Sequence, residues 1–313
     1  MSKEKETVLV VGATGRFGSL AVPVLAGEGL RVRVLVRSTA KAKAALKAGA
    51  HEVVHGDLRD AASLAAGAAG GSGVYYMSPA LAEGQAELGL GLLRAAQRAG
   101  VRRFVFSSSI RALDDPAAKR AVESALYESG LQYTLLRPAS FMQNLLDLWP
   151  AVRRSGVLAA PFDPLARIAR VDYRDVAEVA AIALGSDRLA HASLELCAPG
   201  AYNRHEVAAL MSQFLGRPVY AGQQDAAAWA AQAGLPYDAR QLAQAQRAFD
   251  YLGRQGLPGN ALALRAVLGR EPRSLGDFIA EMAGVGKAPR RRGAATRGSR
   301  VRGPSLACWG DVS

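Results

Sequence analysis

The sequence predicts an α/β fold, a doubly wound parallel sheet carrying a small, mainly helical C-terminal lobe. Three observations carry that prediction. A valine-rich apolar run at 8–11 enters a glycine turn and then a helical stretch. Through residue 138, short apolar runs alternate with helical stretches, most of them ten residues or longer, the rhythm of parallel strands joined by crossover helices. Beyond Pro138 that rhythm breaks, and amphipathic helical stretches dominate.

The run at 8–11 reads as a strand buried on both faces. Gly12, Gly15 and Gly18 follow, with Thr14, Arg16 and Phe17 between them, and 19–26 reads as a helix. Glycines let the backbone turn sharply and let a pyrophosphate approach closely. A helix N-terminus adds unpaired N–H groups and a partial positive charge. The spacing Gly-x-x-Gly-x-x-Gly differs from the Gly-x-Gly-x-x-Gly of standard Rossmann dinucleotide sites. Strand, turn and helix together point to a dinucleotide, and a purely structural βα turn is the alternative.

The second strand, 30–37, ends at Arg37-Ser38. An acidic residue there grips the ribose 2′-hydroxyl of NAD, whereas arginine accommodates the 2′-phosphate of NADP. Arg37, Arg16 and Lys41 with no carboxylate favour NADP(H) as cofactor; solvated surface cations are the alternative. A helix at 39–48 leads to a third strand over 51–57. Asp57 and Leu58 stand at its end, Asp57 placed for an adenine amino group, or Asp57 and Asp60 for capping the helix at 61–69. The fourth strand, 74–77, ends in Met77, Ser78 and Pro79. A helix at 83–99 precedes the fifth strand, 102–109, with Ser107, Ser108 and Ser109 at its tip. A helix at 116–129 precedes the sixth strand, 132–138, which Pro138 ends. In such sheets ligands sit at the carboxyl ends of the strands, which is where all these groups gather.

After Pro138 the sequence predicts an amphipathic stretch from Phe141 to Trp149 and a proline-rich crossing at 158–164. A strand at 168–173, a helix at 175–184 and a seventh strand at 193–197 follow. Helices at 203–215, 226–233, 239–252 and 274–282 complete the lobe. The division expected is a cofactor-binding domain over 1–284, its lobe mainly 139–173 and 199–284, and a disordered basic tail over 285–313.

Composition excludes several classes. Half of the 313 residues are hydrophobic, yet no run reaches the roughly 18–20 apolar residues of a membrane span. The charged first seven residues leave no room for a signal peptide's apolar region, so the expected location is cytoplasmic. Two cysteines, Cys197 and Cys308, argue against a disulfide framework or a thiolate zinc site. The four histidines show no metal-binding spacing, so no metal is expected. Half of the net charge of +12 lies in 285–313, and no helix concentrates arginines with interleaved aromatics, so a nucleic-acid groove is not expected. The expected partner is a small-molecule substrate; oligomeric state is left open.

Several of these segments resemble the NmrA-like atypical short-chain dehydrogenases. They are the Gly12–Gly18 turn (GATGRFG), Val36-Arg37-Ser38, Gly56-Asp57-Leu58, the run at 123–140 (ESALYESGLQYTLLRPAS), Phe141-Met142-Gln143-Asn144, the run at 171–177 (VDYRDVA) and the run at 268–272 (LGREP). The resemblance covers about residues 7–284. It implies a Rossmann fold with a small C-terminal lobe and a preference for NADP(H). It further implies one of two functions: a reductase of small molecules, or a redox-sensing regulator that binds the cofactor without turnover.

Hydride transfer to a carbonyl needs a proton donor beside the developing alkoxide. Typical short-chain dehydrogenases use a tyrosine four residues before a lysine, the cation lowering the phenol's pKa. None of the nine tyrosines here has lysine at that position, and Asp115 stands where the tyrosine would precede Lys119. Lys119 is the only lysine between Lys47 and Lys287 in a chain that otherwise chooses arginine. Lysine can give up its proton and arginine practically cannot. The alternative is a surface ion pair with Glu123, four residues on. Members of the family often carry a lysine here near the nicotinamide. Lys119 and Ser108 are therefore the candidate catalytic residues, with Gly12, Thr14, Gly15, Arg16, Phe17, Gly18, Arg37, Ser38, Asp57, Leu58, Met77, Ser78, Pro79, Lys119, Pro138 and Phe141 lining the cofactor. The expected activity is NADPH-dependent reduction of a small carbonyl, quinone-like or aromatic compound.

Overall fold

The computed structural model describes residues 6–112 and 115–285. The tail expected over 285–313 lies, beyond its first residue, outside them. The chain runs β1 (Thr7–Val11), α1 (Gly18–Gly27), β2 (Arg31–Val36), α2 (Thr39–Lys47), β3 (Glu52–His55), α3 (Ala61–Ala68), β4 (Gly73–Met77), α4 (Gln85–Arg98), β5 (Arg103–Ser107), α5 (Pro116–Tyr127) and β6 (Gln132–Pro138). It continues through β7 (Ser140–Phe141), α6 (Leu145–Ser155), β8 (Val157–Ala160), β9 (Ile168–Val171), α7 (Tyr173–Gly185), β10 (Ala192–Leu196) and β11 (Ala201–Tyr202). The last elements are α8 (Arg204–Leu215), β12 (Tyr220–Gln223), α9 (Ala226–Gln232), α10 (Ala239–Gln255), α11 (Leu262–Leu268) and α12 (Leu275–Ala283).

Seven strands form one parallel sheet in the order β10-β6-β5-β4-β1-β2-β3. The chain steps outward from β1 to β3 on one side and from β4 to β6 on the other. The strand order thus reverses between β1 and β4, the crevice where open α/β sheets bind ligands. Alternation along β1 explains its unbroken apolar run. Val8 and Val10 enter the core under α1 and α7, and Leu9 and Val11 enter the core shared with α4 and α5. Both faces are covered, so neither set of side chains has a solvent side.

The lobe differs from the sequence expectation in several places. Phe141 lies in a strand rather than a helix, and α6 begins only at Leu145 and runs through Pro150. Pro138 is the last residue of β6, in register with Leu196. The crossing at 158–164 contains part of β8, which pairs parallel with β12. β9 pairs with β7 on one side and β11 on the other. α11 was not expected at all. Strands of two to four residues are too short to show a period of two. Phe141 of β7 and Ile168, Ala169 and Val171 of β9 pack with the core under α1 and α7, while Leu158 of β8 and Tyr202 of β11 join a separate apolar cluster around Met142, Leu145, Val207, Met211 and Ile279. Among the described residues no helix is long and apolar enough to cross a membrane.

Candidate functional site

The glycine turn closes β1 onto α1 by backbone contact alone. Gly12 has a φ of +89°, a region that favours glycine, and a Cβ on Gly18 would lie 2.1 Å from the Gly12 carbonyl oxygen. A Cβ on Gly15 would lie 3.1 Å from the same atom, to which the Gly15 N–H donates. The helices differ at their N-termini. Ser38 caps α2, Asp60 caps α3, Asp115 caps α5 and Asp172 caps α7 through side-chain oxygens. α1 has no side-chain cap, and nor does α4, whose N-cap residue is Gly84. At the α1 terminus by the β1/β4 crevice the Ser19 and Leu20 N–H groups donate to the Gly15 and Phe17 carbonyls, and with no side chain over it the helix end leaves its partial positive charge for an anion. A cradle too tight for any side chain, facing an uncapped helix end, fits a dinucleotide pyrophosphate.

Phe17 roofs the turn together with Phe141 and Tyr173. The ring centroids lie 4.7 Å apart for Phe17–Phe141 and 5.1 Å apart for Phe141–Tyr173. Thr14, in the same turn, is partly buried. Across the crevice, Met77 is partly buried at the end of β4, the Ser78 hydroxyl donates to Gln85, and Pro79 is exposed. Arg37 and Ser38 stand exposed past the end of β2, and Arg37 has no hydrogen-bond or ion-pair partner among the described residues. Lys41 lies one turn into α2. Asp57 accepts from the Arg59 N–H, while Asp60 caps α3, so the helix-capping role belongs to Asp60. Leu58 packs partly into the sheet core.

Arg16, unlike Arg37, is already engaged by other residues. Its guanidinium ion-pairs with Asp147 of α6, donates to the Gln143 carbonyl and lies 4.9 Å from the Phe17 ring centroid. The residue expected at the ribose thus fastens the glycine turn to the lobe. Gln143 is the joint of this connection and was not singled out as a site residue. Its amide donates to Asp172 and its side-chain oxygen accepts the Tyr173 N–H. Asp172, wholly buried, also takes the Arg174 guanidinium at 2.6 Å. Burial alone would raise the Asp172 pKa, but Arg174 and the neighbouring donors hold it below the usual carboxylate range. A carboxylate lowered on folding stabilises above its unfolded pKa, and that contribution fades as pH falls through the folded value. Asp172→Asn is expected to cost roughly 1.5–3 kcal/mol at neutral pH, and its melting temperature should converge on that of the native chain in acid.

Lys119 sits one turn into α5 with 7% exposure, and its Nζ donates to Ser109 Oγ at 2.9 Å. The surface pair with Glu123 does not form, because Glu123 takes the Arg137 guanidinium of β6 at 2.6 Å. Lysine and serine meet two residues past the end of β5, where Lys119 in the first turn of α5 reaches Ser109. Ser108 is 5% exposed, and its hydroxyl has no hydrogen-bond partner among the described residues. The phenols of Tyr75 and Tyr173 hydrogen-bond at 2.9 Å beneath the crevice, and burial pushes both pKa values up, so they stay protonated. Pro138 is buried at the end of β6, two residues before β7 begins.

The NmrA-like family model matches residues 4–274. The chain is 35% identical over 217 residues to an NAD(P)H azoreductase from Xenophilus azovorans, covering 68% of this chain and 75% of that protein. It is 34% identical over 219 residues to a (4-alkanoyl-5-oxo-2,5-dihydrofuran-3-yl)methyl phosphate reductase from Streptomyces griseus, covering 68% and 75%. Among solved structures, the NADPH-dependent quinone oxidoreductase of Escherichia coli in complex with NADPH superposes with a TM-score of 0.73. It has 23% identity, over 88% of this chain and 99% of that one, a likeness of fold.

Proposed function

The chain belongs to the NmrA-like family, and from that premise we propose that it is an NADPH-dependent reductase of a small carbonyl, quinone-like or aromatic compound. The observation that carries this reading is the buried Lys119–Ser109 pair just past the end of β5, the neighbour of β4, on the same carboxyl edge of the parallel sheet as the uncapped glycine cradle. The reductase relatives support it, one acting on azo compounds and one named for a conjugated lactone. Bound NADPH supplies the hydride. Gly12, Gly15 and Gly18 would hold its phosphates, Arg37, Ser38 and Lys41 its 2′-phosphate, and Asp57 and Leu58 would border the adenine. Met77, Ser78, Pro79, Pro138 and Phe141 would wall the remainder.

The proton does not come from a Tyr-x-x-x-Lys pair, which the sequence lacks. In this reading the Lys119 ammonium gives it to the reduced oxygen through the Ser109 hydroxyl, and Ser108 turns its unpartnered hydroxyl toward the same acceptor. Low exposure at Lys119 keeps bulk water from competing as donor.

Consumption of NADPH against quinones, ketones, enones and azo compounds tests the reading. A regulator would bind NADPH tightly and turn over none of them, and that result would replace the reductase. Arg37→Asp is expected to weaken NADPH about tenfold or more, the worth of one lost charge-assisted hydrogen bond. NADH binding should change far less. Equal affinities for NADPH and NADH in the native chain, measured by titration, would remove the 2′-phosphate assignment.

A further inference from the structure

Six of the buried or half-buried arginines, Arg33, Arg103, Arg137, Arg174, Arg270 and Arg273, each hold a carboxylate. Arg170 and Arg204 depart from this. Arg204, the first residue of α8, is 4% exposed, and it donates to the carbonyls of Phe162 and Gly222. Arg170 of β9 is partly buried, and it reaches the carbonyl of Ile168 at 3.2 Å and that of Tyr202 at 3.5 Å. Neither has a carboxylate within ion-pair distance among the described residues. Asp163 favours the charge of Arg204 from beyond ion-pair distance, whereas no carboxylate acts on Arg170 among the described residues. A buried cation without a close counter-ion is costly, and here two of them share one part of the lobe. Burial brings both guanidiniums down to about 10, helped at Arg170 by the charge of Arg204 and opposed at Arg204 by Asp163, so both stay charged at neutral pH.

Their place in the fold gives the pair a use. Arg170 is in register with Ser140 on β7, and the next residue, Phe141, packs against Phe17 of the glycine turn. The Ser140 hydroxyl is held by Asn144. Arg204 lies 4.6 Å from the Phe162 ring centroid, and Phe249 stacks on the same ring at 6.2 Å. The lobe therefore offers two cations, a hydroxyl and aromatic faces one strand away from the residues bordering the crevice.

We propose that Arg170 and Arg204 bind the anionic group, a carboxylate, sulfonate or phosphate, of the substrate that this lobe receives. The proposal rests on the reductase reading only in naming the occupant as the acceptor. A guanidinium pair meets an oxyanion with charge-assisted hydrogen bonds that a neutral analogue of the same shape cannot form. Conjugated acceptors carrying an oxyanion should accordingly be favoured over their uncharged counterparts.

The test is calorimetric titration of the full chain, loaded with NADPH, with benzenesulfonate and with the neutral benzenesulfonamide. The native chain should bind the sulfonate about tenfold or more tighter. Arg170→Lys should keep part of that preference and Arg170→Gln should lose it. Equal affinities in the native chain overturn the proposal without recourse to any variant. So does an Arg170→Gln chain, folded by its melting curve, that loses both ligands equally. The kcat/KM ratio for a naphthoquinone sulfonate over unsubstituted naphthoquinone separates the two readings. A sulfonate preference in binding with neither quinone reduced upholds the anion site and removes the reductase. Both quinones reduced equally, with no binding preference, does the reverse.

Discussion

Lys119→Ala is expected to lower kcat by about 10²–10⁴, the usual cost of removing a general acid, with NADPH affinity only modestly changed. The structure sharpens the expectation, because Lys119 is buried against Ser109 and Glu123 is already engaged by Arg137. A solvated i, i+4 pair would account for only about 0.3–0.5 kcal/mol, which no kinetic loss of that size resembles. Lys119→Arg separates charge from proton transfer, since arginine keeps the cation near Ser109 but holds its proton. It should recover cofactor binding and little of the rate. Native turnover in the alanine variant, on any substrate that consumes NADPH, would leave Lys119 a packing residue and shift the proton donor to Ser108, Ser109 or water.

Gly18→Ala is expected to abolish useful NADPH binding. The added methyl would lie 2.1 Å from the Gly12 oxygen, 2.7 Å from its carbonyl carbon and 3.0 Å from the Ala13 Cα, all backbone atoms that no rotamer change can move. The turn must open. Overpacking of this kind costs roughly 1–3 kcal/mol or more, and 3 kcal/mol spent in the cradle is about a hundredfold in affinity. The control lies at the other end of the same helix. A Cβ on Gly27 meets nothing within 4 Å, so Gly27→Ala should be neutral or raise stability by about 0.4–1 kcal/mol. Titration with NADPH and a melting curve for both variants decide the matter. Undiminished binding in Gly18→Ala would show that the turn relaxes and that its glycines are not required for the phosphate approach.

Sequence alone determined the sheet and the place of the crevice. The unbroken apolar run of β1, the Gly12–Gly18 spacing and the alternation of short apolar runs with helices are local signals, each written within about a dozen residues. Local signals survive folding because backbone periodicity and glycine's freedom act on near neighbours. Lys119 also stood out by composition, as one lysine in a long arginine-rich stretch. What those cations touch was decided only by tertiary structure. Arg16 meets a carbonyl 127 residues away, Arg137 takes the carboxylate expected for Lys119, and Gln143 ties Asp172 to Tyr173 across about 30 residues. The same holds for Arg170 and Arg204, whose lack of an ion pair among the described residues is invisible in a chain with 27 acids. Ion pairing depends on which side chains the packed elements bring within a few ångströms of each other, and burial decides how much each pair is worth. No sequence period encodes either quantity.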